Sequence, residues 1–200
     1  YSSAASDVYK RQMFLVVALL SLVSCEQAHA EVFHTARTLK PRALSLGLEP
    51  QVMLVQPPAY QLNLHGGLGL AQAIDLGILY ELPLTGAYAP ASLGVDVEVG
   101  ILSDSAASPA LSFALGAHVD DWNWYYLDGT LMLSKVFHRF EPFVALDVDL
   151  SLPPAEVVPR FRLVGGLDFH LSRVTELIIE LGIGLRGNTS YLSAGFNFYI

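Results

Sequence analysis

Apolar residues occupy every second position through most of the chain from residue 43 to the C-terminus. About ten segments show this alternation, and short stretches rich in Pro, Gly, Ser, Asn and Asp separate them. In residues 60–70 the apolar side of the pattern consists of Tyr60, Leu62, Leu64, Leu68 and Leu70. A period of two is that of a β-strand whose two faces meet different surroundings. The chain is therefore predicted to be all-β with about ten antiparallel strands, and a count of about eight to twelve fits the same pattern.

The two faces of the predicted strands differ sharply in chemistry. One consists almost wholly of Leu, Ile, Val and Phe, whereas the other holds the charged residues and most of the glycines. A soluble barrel of the lipocalin type would show the inverse arrangement, with the apolar face inside. A lipid-facing Lys or Arg at mid-bilayer costs about 2–4 kcal/mol, and the apolar face carries no charge in its strand centres. We therefore predict a transmembrane antiparallel up-and-down β-barrel over residues 43–200, with lipid outside.

Aromatic residues gather near the predicted strand ends, as they do at membrane interfaces. The girdle expected at one end consists of Tyr60, Trp122, Trp124, Tyr126 and Tyr191. The girdle expected at the other end consists of Phe137, Phe140, Phe169 and Phe198.

The N-terminal part of the chain has the features of an export signal. Residues 14–23 form an unbroken apolar run that is too short to cross a bilayer, and the sequence Ala28-His29-Ala30 follows it. We expect a signal peptide over residues 13–30, cleaved after Ala30, and a short periplasmic segment over residues 31–42. In an alternative interpretation, residues 22–25 resemble a lipoprotein box, which would leave Cys25 acylated. Cys25 is the only cysteine, so the chain has no intramolecular disulfide.

The first residues do not share the pattern of the rest. Residues 2–12 resemble the in-frame translation of a transposase-type sequencing adapter. That resemblance implies that residues 1–12 do not belong to the folded protein, and they are excluded from the fold prediction.

The last predicted strand carries a second resemblance. Its Ser193, Gly195, Phe198 and Ile200 stand where bacterial outer-membrane β-barrel proteins carry the signal read by their assembly machinery, although Phe or Trp is usual at the last position. The resemblance implies location in a bacterial outer membrane, and contact with that machinery, with membrane lipid and with lipopolysaccharide. It implies no activity.

The charge of the chain bears on what passes through or binds to the barrel. The net charge is −8, which argues against nucleic-acid binding. On the inward face, acidic residues outnumber basic ones. The candidate lumen charges are Asp96, Glu98, Asp120, Asp128, Asp147, Asp149, Arg160, Arg162, Asp168, Glu180 and Arg186. Such a lining favours cations, so a narrow channel for small cations or solutes is the first interpretation. A closed structural barrel, in which carboxylates bridge the arginines, is the alternative.

An enzyme is the third class considered. His65, His118 with Asp120, and Asp168 with His170 offer a general base or metal ligands, because residues two apart on a strand share a face. No nucleophile motif accompanies them, and inward histidines are usually structural. We therefore expect no catalysis, no metal and no cofactor. The short connections leave little surface for a macromolecular receptor, and a monomer is expected.

Overall fold

The computed structural model describes residues 34–85, 91–153, 157–186 and 188–200. Its ten strands are β1 (Leu44–Met53), β2 (Ala59–Ala71), β3 (Ile74–Thr85), β4 (Ser92–Leu102), β5 (Ala110–Asp120), β6 (Trp124–Ser134), β7 (Phe140–Ser151), β8 (Pro159–His170), β9 (Thr175–Arg186) and β10 (Tyr191–Tyr199). Each pairs antiparallel with its neighbours in sequence, and β10 pairs with β1 to close the barrel. The predicted up-and-down barrel of about ten strands is confirmed, and the number of strands is ten. Residues 1–12, the predicted signal peptide 13–30 and its Cys25 lie outside the described residues.

The barrel has two ends, which we call the terminal rim and the distal rim. The terminal rim is where β1 begins and β10 ends, and the distal rim is where β1 ends and β10 begins. Ser45 pairs with Tyr199 near the first and Met53 with Tyr191 at the second. At the terminal rim, Leu44 and Ile200 exchange backbone hydrogen bonds of 3.1 and 2.9 Å. Closure leaves the sheet without an unpaired edge along these strands.

The exterior of the barrel is apolar between the rims. Leu46 on β1, Ile78 on β3 and Leu115 on β5 each leave more than half of their surface exposed. Across the ten strands, charged side chains point inward, with the exception of Arg186, which lies exposed at the distal end of β9. Water would not stabilise so large an apolar surface, whereas lipid does. The prediction of a transmembrane barrel with its apolar face outside is confirmed. The described residues include no helix long and apolar enough to cross a membrane.

Two residues of the aromatic girdle predicted at the distal rim point into the barrel and not toward the membrane. Tyr126 is 6% exposed and Tyr191 is 0% exposed, so both lie inside the barrel. Tyr126 shares the inward face of β6 with Asp128, and the neighbouring Tyr125 takes the outward position instead. The prediction was wrong for these two because it relied on nearness to the rim and not on the two-residue alternation. Tyr60, Trp122 and Trp124 are exposed at the distal rim, where girdle residues were predicted.

Packed side chains fill much of the interior. One buried apolar cluster consists of Ala36, Ala110, Met132, Phe143, Ala145, Val164 and Ile178. A second cluster, at the distal rim, consists of Met53, Ala59 and Tyr191. Most of these residues lie on β5 to β10, so this side of the barrel is solid and a wide pore is excluded.

Candidate functional site: the lumen and its N-terminal segment

The part of the chain just before β1, which was predicted to be a short N-terminal segment over residues 31–42, contacts inward-facing side chains of the barrel. Residues 34–40, which we call the N-terminal segment, enter the lumen from the terminal rim. The amide of Ala36 donates to Oγ of Ser134 at 3.2 Å, and the amide of Leu39 donates to Oδ2 of Asp75 at 2.5 Å. The segment is thus anchored to two separate strands of the barrel wall, β6 and β3. A glycine on β2 permits this course, because a Cβ at Gly69 would collide with the backbone of Lys40.

The cations of the N-terminal segment meet carboxylates of the lumen. The imidazole Nε2 of His34 lies 3.1 Å from Oε2 of Glu98. The guanidinium of Arg37 lies 2.5 Å from Oε2 of Glu141 and 3.5 Å from Oε1 of Glu176. Buried carboxylates require such partners, since an unpaired buried charge is costly. The segment therefore neutralises part of the excess acid that the sequence places inside the barrel.

The pKa values of these two side chains respond to that environment. Burial lowers the pKa of His34, and the nearby carboxylate of Glu98 raises it, with a net rise to about 9. Burial likewise lowers the pKa of the Arg37 guanidinium, and the carboxylates of Glu141 and Glu176 outweigh it and raise that pKa. Both groups therefore carry a positive charge at neutral pH.

A cavity of about 390 Å³ lies beside the segment. It extends from Lys40 at the terminal rim to His118 and Asp128 in the distal half of the barrel. Its acidic lining is supplied by Asp75, Asp96, Glu98, Asp128 and Glu176, and its basic lining by His34, Arg37, Lys40 and Arg173. Of the predicted lumen charges, Asp96, Glu98 and Asp128 line this cavity.

Other predicted charges are enclosed in the packed half of the barrel. Asp147 accepts a hydrogen bond of 3.0 Å from Oγ1 of Thr130 and lies 3.9 Å from the guanidinium of Arg162. Asp149 accepts a hydrogen bond of 3.2 Å from the side-chain amide of Asn188. All three charged side chains are fully buried. They form a structural network and not a path.

Near the distal rim, two aromatic rings organise the remaining charges. The guanidinium of Arg162 lies 5.1 Å from the ring centroid of Tyr191, whose hydroxyl donates to Glu180. Arg162, Tyr191 and Glu180 are all buried, so this stack belongs to the packed side of the lumen.

A second stack lies on the cavity side. The guanidinium of Arg160 lies 5.3 Å from the ring centroid of Tyr126, which stacks on His118 at 4.7 Å. Nδ1 of His118 lies 3.2 Å from Asp128, and its Nε2 lies 3.9 Å from the buried Asp120.

Arg186 was predicted to face the lumen, and that prediction was wrong. It is exposed, because an irregularity in register after Phe161 pairs Arg186 with that residue at the strand end.

The predicted assembly-signal residues all lie in or beside β10. Ser193 and Gly195 are buried on its inward face, whereas Phe198 is 46% exposed on the outward face and Ile200 is 77% exposed just beyond the strand. Together they form part of the strand that closes the barrel.

His34 and Arg37 are functional candidates that the sequence analysis missed. Four cations precede β1 within a few residues: His34, Arg37, Lys40 and Arg42. This run of basic residues precedes a barrel whose inward face carries an excess of carboxylates. Their opposite charges were the feature of the sequence that could have predicted a segment inside the lumen. Periodicity does not reveal it, since residues 34–40 belong to no strand.

Comparisons with known proteins leave the family of this chain undefined. No protein-family model and no curated protein matches it. A solved structure described as "De novo design of transmembrane beta-barrels" aligns over 82% of this chain and 100% of its own, at 11% identity and a TM-score of 0.42. The fold assignment therefore rests on the strand pairing and the apolar exterior described above.

Proposed function

We propose that this protein is a bacterial outer-membrane barrel that conducts small cations along a narrow path, and that the N-terminal segment closes this path in the arrangement described here. The observation that carries the proposal is the acid-lined cavity beside a segment of opposite charge. Asp75, Asp96, Glu98 and Asp128 contribute carboxylates to one continuous cavity. Like charges lining a narrow path favour ions of the opposite sign.

The position of His34 and Arg37 supports closure by the segment. Both side chains lie within the lumen where a passing cation would pair with the same carboxylates. A positive group tethered there competes with mobile cations and also narrows the cavity. Release of residues 34–40 would remove both obstacles while the barrel itself stays intact.

The proposed location rests on the sequence. The export signal over residues 13–30 and the C-terminal resemblance through Ser193, Gly195, Phe198 and Ile200 both favour a bacterial outer membrane. Contacts with lipopolysaccharide and with the assembly machinery belong to the same proposal. The enzyme alternative receives less support, because no nucleophile motif accompanies His118 and its carboxylates.

The test is single-channel recording of the full chain refolded into planar bilayers under a salt gradient. We expect the parent protein to stay mostly closed and a His34→Gln/Arg37→Gln variant to open more often. The reversal potential of the open variant should show that cations pass in preference to anions. Adding Asp96→Asn and Glu98→Gln should weaken that preference. Lys135→Gln is the matched control, because it also removes a positive charge at the terminal rim. Lys135 pairs with Asp104 at 3.0 Å outside the lumen, so its removal should not open the path.

Silent bilayers would decide against conduction. If all variants fold, as judged by heat-modifiable mobility on gels, and none conducts, the protein is a closed structural barrel. If the double variant conducts no more often than the parent, the segment does not close the path.

A further inference from the structure

Three side chains with metal-binding donor atoms converge beside Arg37 at the terminal rim. Donor atoms of Glu141, Asp168 and His170 all lie within 4.8 Å of one another. Glu141, near the start of β7, pairs directly with Asp168 on β8, and His170 follows on the same face of β8. The arrangement is therefore built on paired strands and not on a loop.

The spacing of these donors suits a small divalent cation. Nε2 of His170 lies 3.4 Å from Oδ2 of Asp168 and 3.6 Å from Oε2 of Glu141. A tetrahedral ion with bonds of about 2.0–2.2 Å separates its ligands by about 3.3–3.6 Å. Oε1 of Glu176, which lies 3.4 Å from the same nitrogen, is the nearest fourth donor.

The barrel orients two of these carboxylates through their outer oxygens. The Ser134 hydroxyl lies 2.6 Å from Oε1 of Glu141 and donates to it, which leaves Oε2 directed at the centre of the cluster. The Tyr199 hydroxyl donates to Oε2 of Glu176, which leaves Oε1 of that carboxylate directed at the centre of the cluster as well. Hydrogen bonds of this kind hold the ligands of metal sites in place.

Asp168 points to a ligand independently of the cluster around it. Its side chain is fully buried beside the carboxylate of Glu176 and the ring of His170, and no hydroxyl or amide of a described residue donates to either carboxylate oxygen. The guanidinium of Arg37 is the nearest described group with a permanent positive charge, and its Nη2 is still 4.0 Å from Oδ2. A buried carboxylate is costly unless it is neutralised or paired with a cation, and a bound metal ion would supply that cation here.

We propose that Glu141, Asp168 and His170 form a binding site for a divalent cation of the Zn²⁺ type, and that the guanidinium of Arg37 competes with this ion for the site. The imidazole nitrogen favours Zn²⁺ over Ca²⁺ and Mg²⁺, which prefer oxygen alone. The guanidinium of Arg37 lies 2.9 Å from Nε2 of His170 and 2.5 Å from Oε2 of Glu141, so it uses the two atoms that an ion would need. Ion binding therefore displaces Arg37 and loosens the N-terminal segment.

Competition between Arg37 and the ion predicts how the affinity for the ion should change in two kinds of variant. Removing the guanidinium should tighten ion binding, since the ion no longer has to displace it. Removing a ligand should weaken binding. Arg173, at the same rim, offers a matched control because it has the same charge and lines the cavity but has no described contact with the cluster.

The first experiment measures Zn²⁺ binding by isothermal titration calorimetry to the full chain, refolded in detergent micelles, with Cys25→Ser in every variant so that the thiol does not bind the metal. We expect one ion per chain, with affinity about tenfold or more tighter in Arg37→Gln and about tenfold or more weaker in both Asp168→Asn and His170→Gln. Arg173→Gln should bind as the parent does. Absence of binding to a folded Arg37→Gln variant would overturn the site, and equal affinity of that variant and the parent would overturn the competition.

A second measurement follows the segment itself. Ala36 is 2% exposed in the buried cluster, so the ¹³C-labelled methyl group of this residue reports release. Saturating Zn²⁺ should move its signal to the position seen in the Arg37→Gln variant. An unchanged signal in a chain that binds Zn²⁺ would overturn the displacement. Neither readout needs an open channel, so failure of the proposed conduction leaves this test intact.

Discussion

The imidazole of His34 and the carboxylate of Glu98 form an ion pair, with Nε2 and Oε2 3.1 Å apart, across the boundary between the N-terminal segment and the barrel wall. His34 belongs to no strand, whereas Glu98 is buried on β4. The pair therefore links the position of the segment to the charge of a single titratable group.

Raising the pH should release this contact. Burial lowers and Glu98 raises the pKa of His34, with smaller contributions in the same direction as Glu98 from Asp96 and Asp75, and the net value is about 9. Because the pKa in the folded state is above the ordinary value near 6.5, the stabilisation is complete below about pH 6.5 and is lost as pH rises through about 9. The methyl signal of Ala36, recorded by NMR from pH 6 to 10, should shift over that window.

The control for this titration is His34→Gln. It lacks the ionisable ring, so the Ala36 signal should show no transition between about pH 6.5 and 9. If the variant shows the same transition as the parent, another group controls the segment.

A charge on the outer face should destabilise the barrel in lipid. Leu64 lies near the middle of β2 and is 41% exposed on the apolar exterior. We expect Leu64→Arg to lower the free energy of unfolding by about 2–4 kcal/mol, since the guanidinium must enter the hydrocarbon region. Urea unfolding in lipid vesicles measures the loss. Gln72→Arg, in the exposed turn between β2 and β3, should have little effect, and an equal loss in both variants would contradict a lipid-facing exterior.

The hydroxyl of Tyr191 should contribute to stability from inside the lumen. It donates a hydrogen bond to the buried carboxylate of Glu180, so Tyr191→Phe leaves that carboxylate with one donor fewer. The expected loss is about 1–3 kcal/mol in urea unfolding. Tyr125→Phe changes the same atom on an exposed ring and should shift stability by less than about 0.5 kcal/mol. Comparable losses would mean that the buried hydrogen bond contributes nothing.

A glycine on β9 makes room for the same tyrosine. A Cβ at Gly182 would lie 2.6 Å from Cδ1 and 2.7 Å from Cζ of Tyr191. Gly182→Ala should therefore displace the ring and cost about 1–3 kcal/mol. At Gly129 the nearest atoms to an added Cβ are 3.8 Å away on Phe113, so Gly129→Ala should be neutral or slightly stabilising. Thermal unfolding of the two variants measures the difference, and equal changes in melting temperature would contradict the prediction.

The candidate site was predictable only in part. Asp96, Glu98 and Asp128 line the cavity, and alternation along single strands was enough to turn them inward. Asp168 and His170 were recognised as a pair for the same reason. Their partner Glu141 comes from the neighbouring strand, and Arg37 from outside the barrel wall. No local pattern encodes contacts between residues that far apart in the chain.

The alternation of apolar and polar residues determined by itself the class of fold, the approximate number of strands and the face that meets lipid. Those properties follow from the two-residue period of a strand, which is a local property of the backbone and needs no knowledge of the partner strand. The tertiary structure decided what fills the lumen: which carboxylates pair, which aromatics turn inward, and that residues 34–40 lie within it. These outcomes depend on cross-strand register and on the electrostatic cost of enclosing unpaired acid, and both arise only when ten strands close around one space.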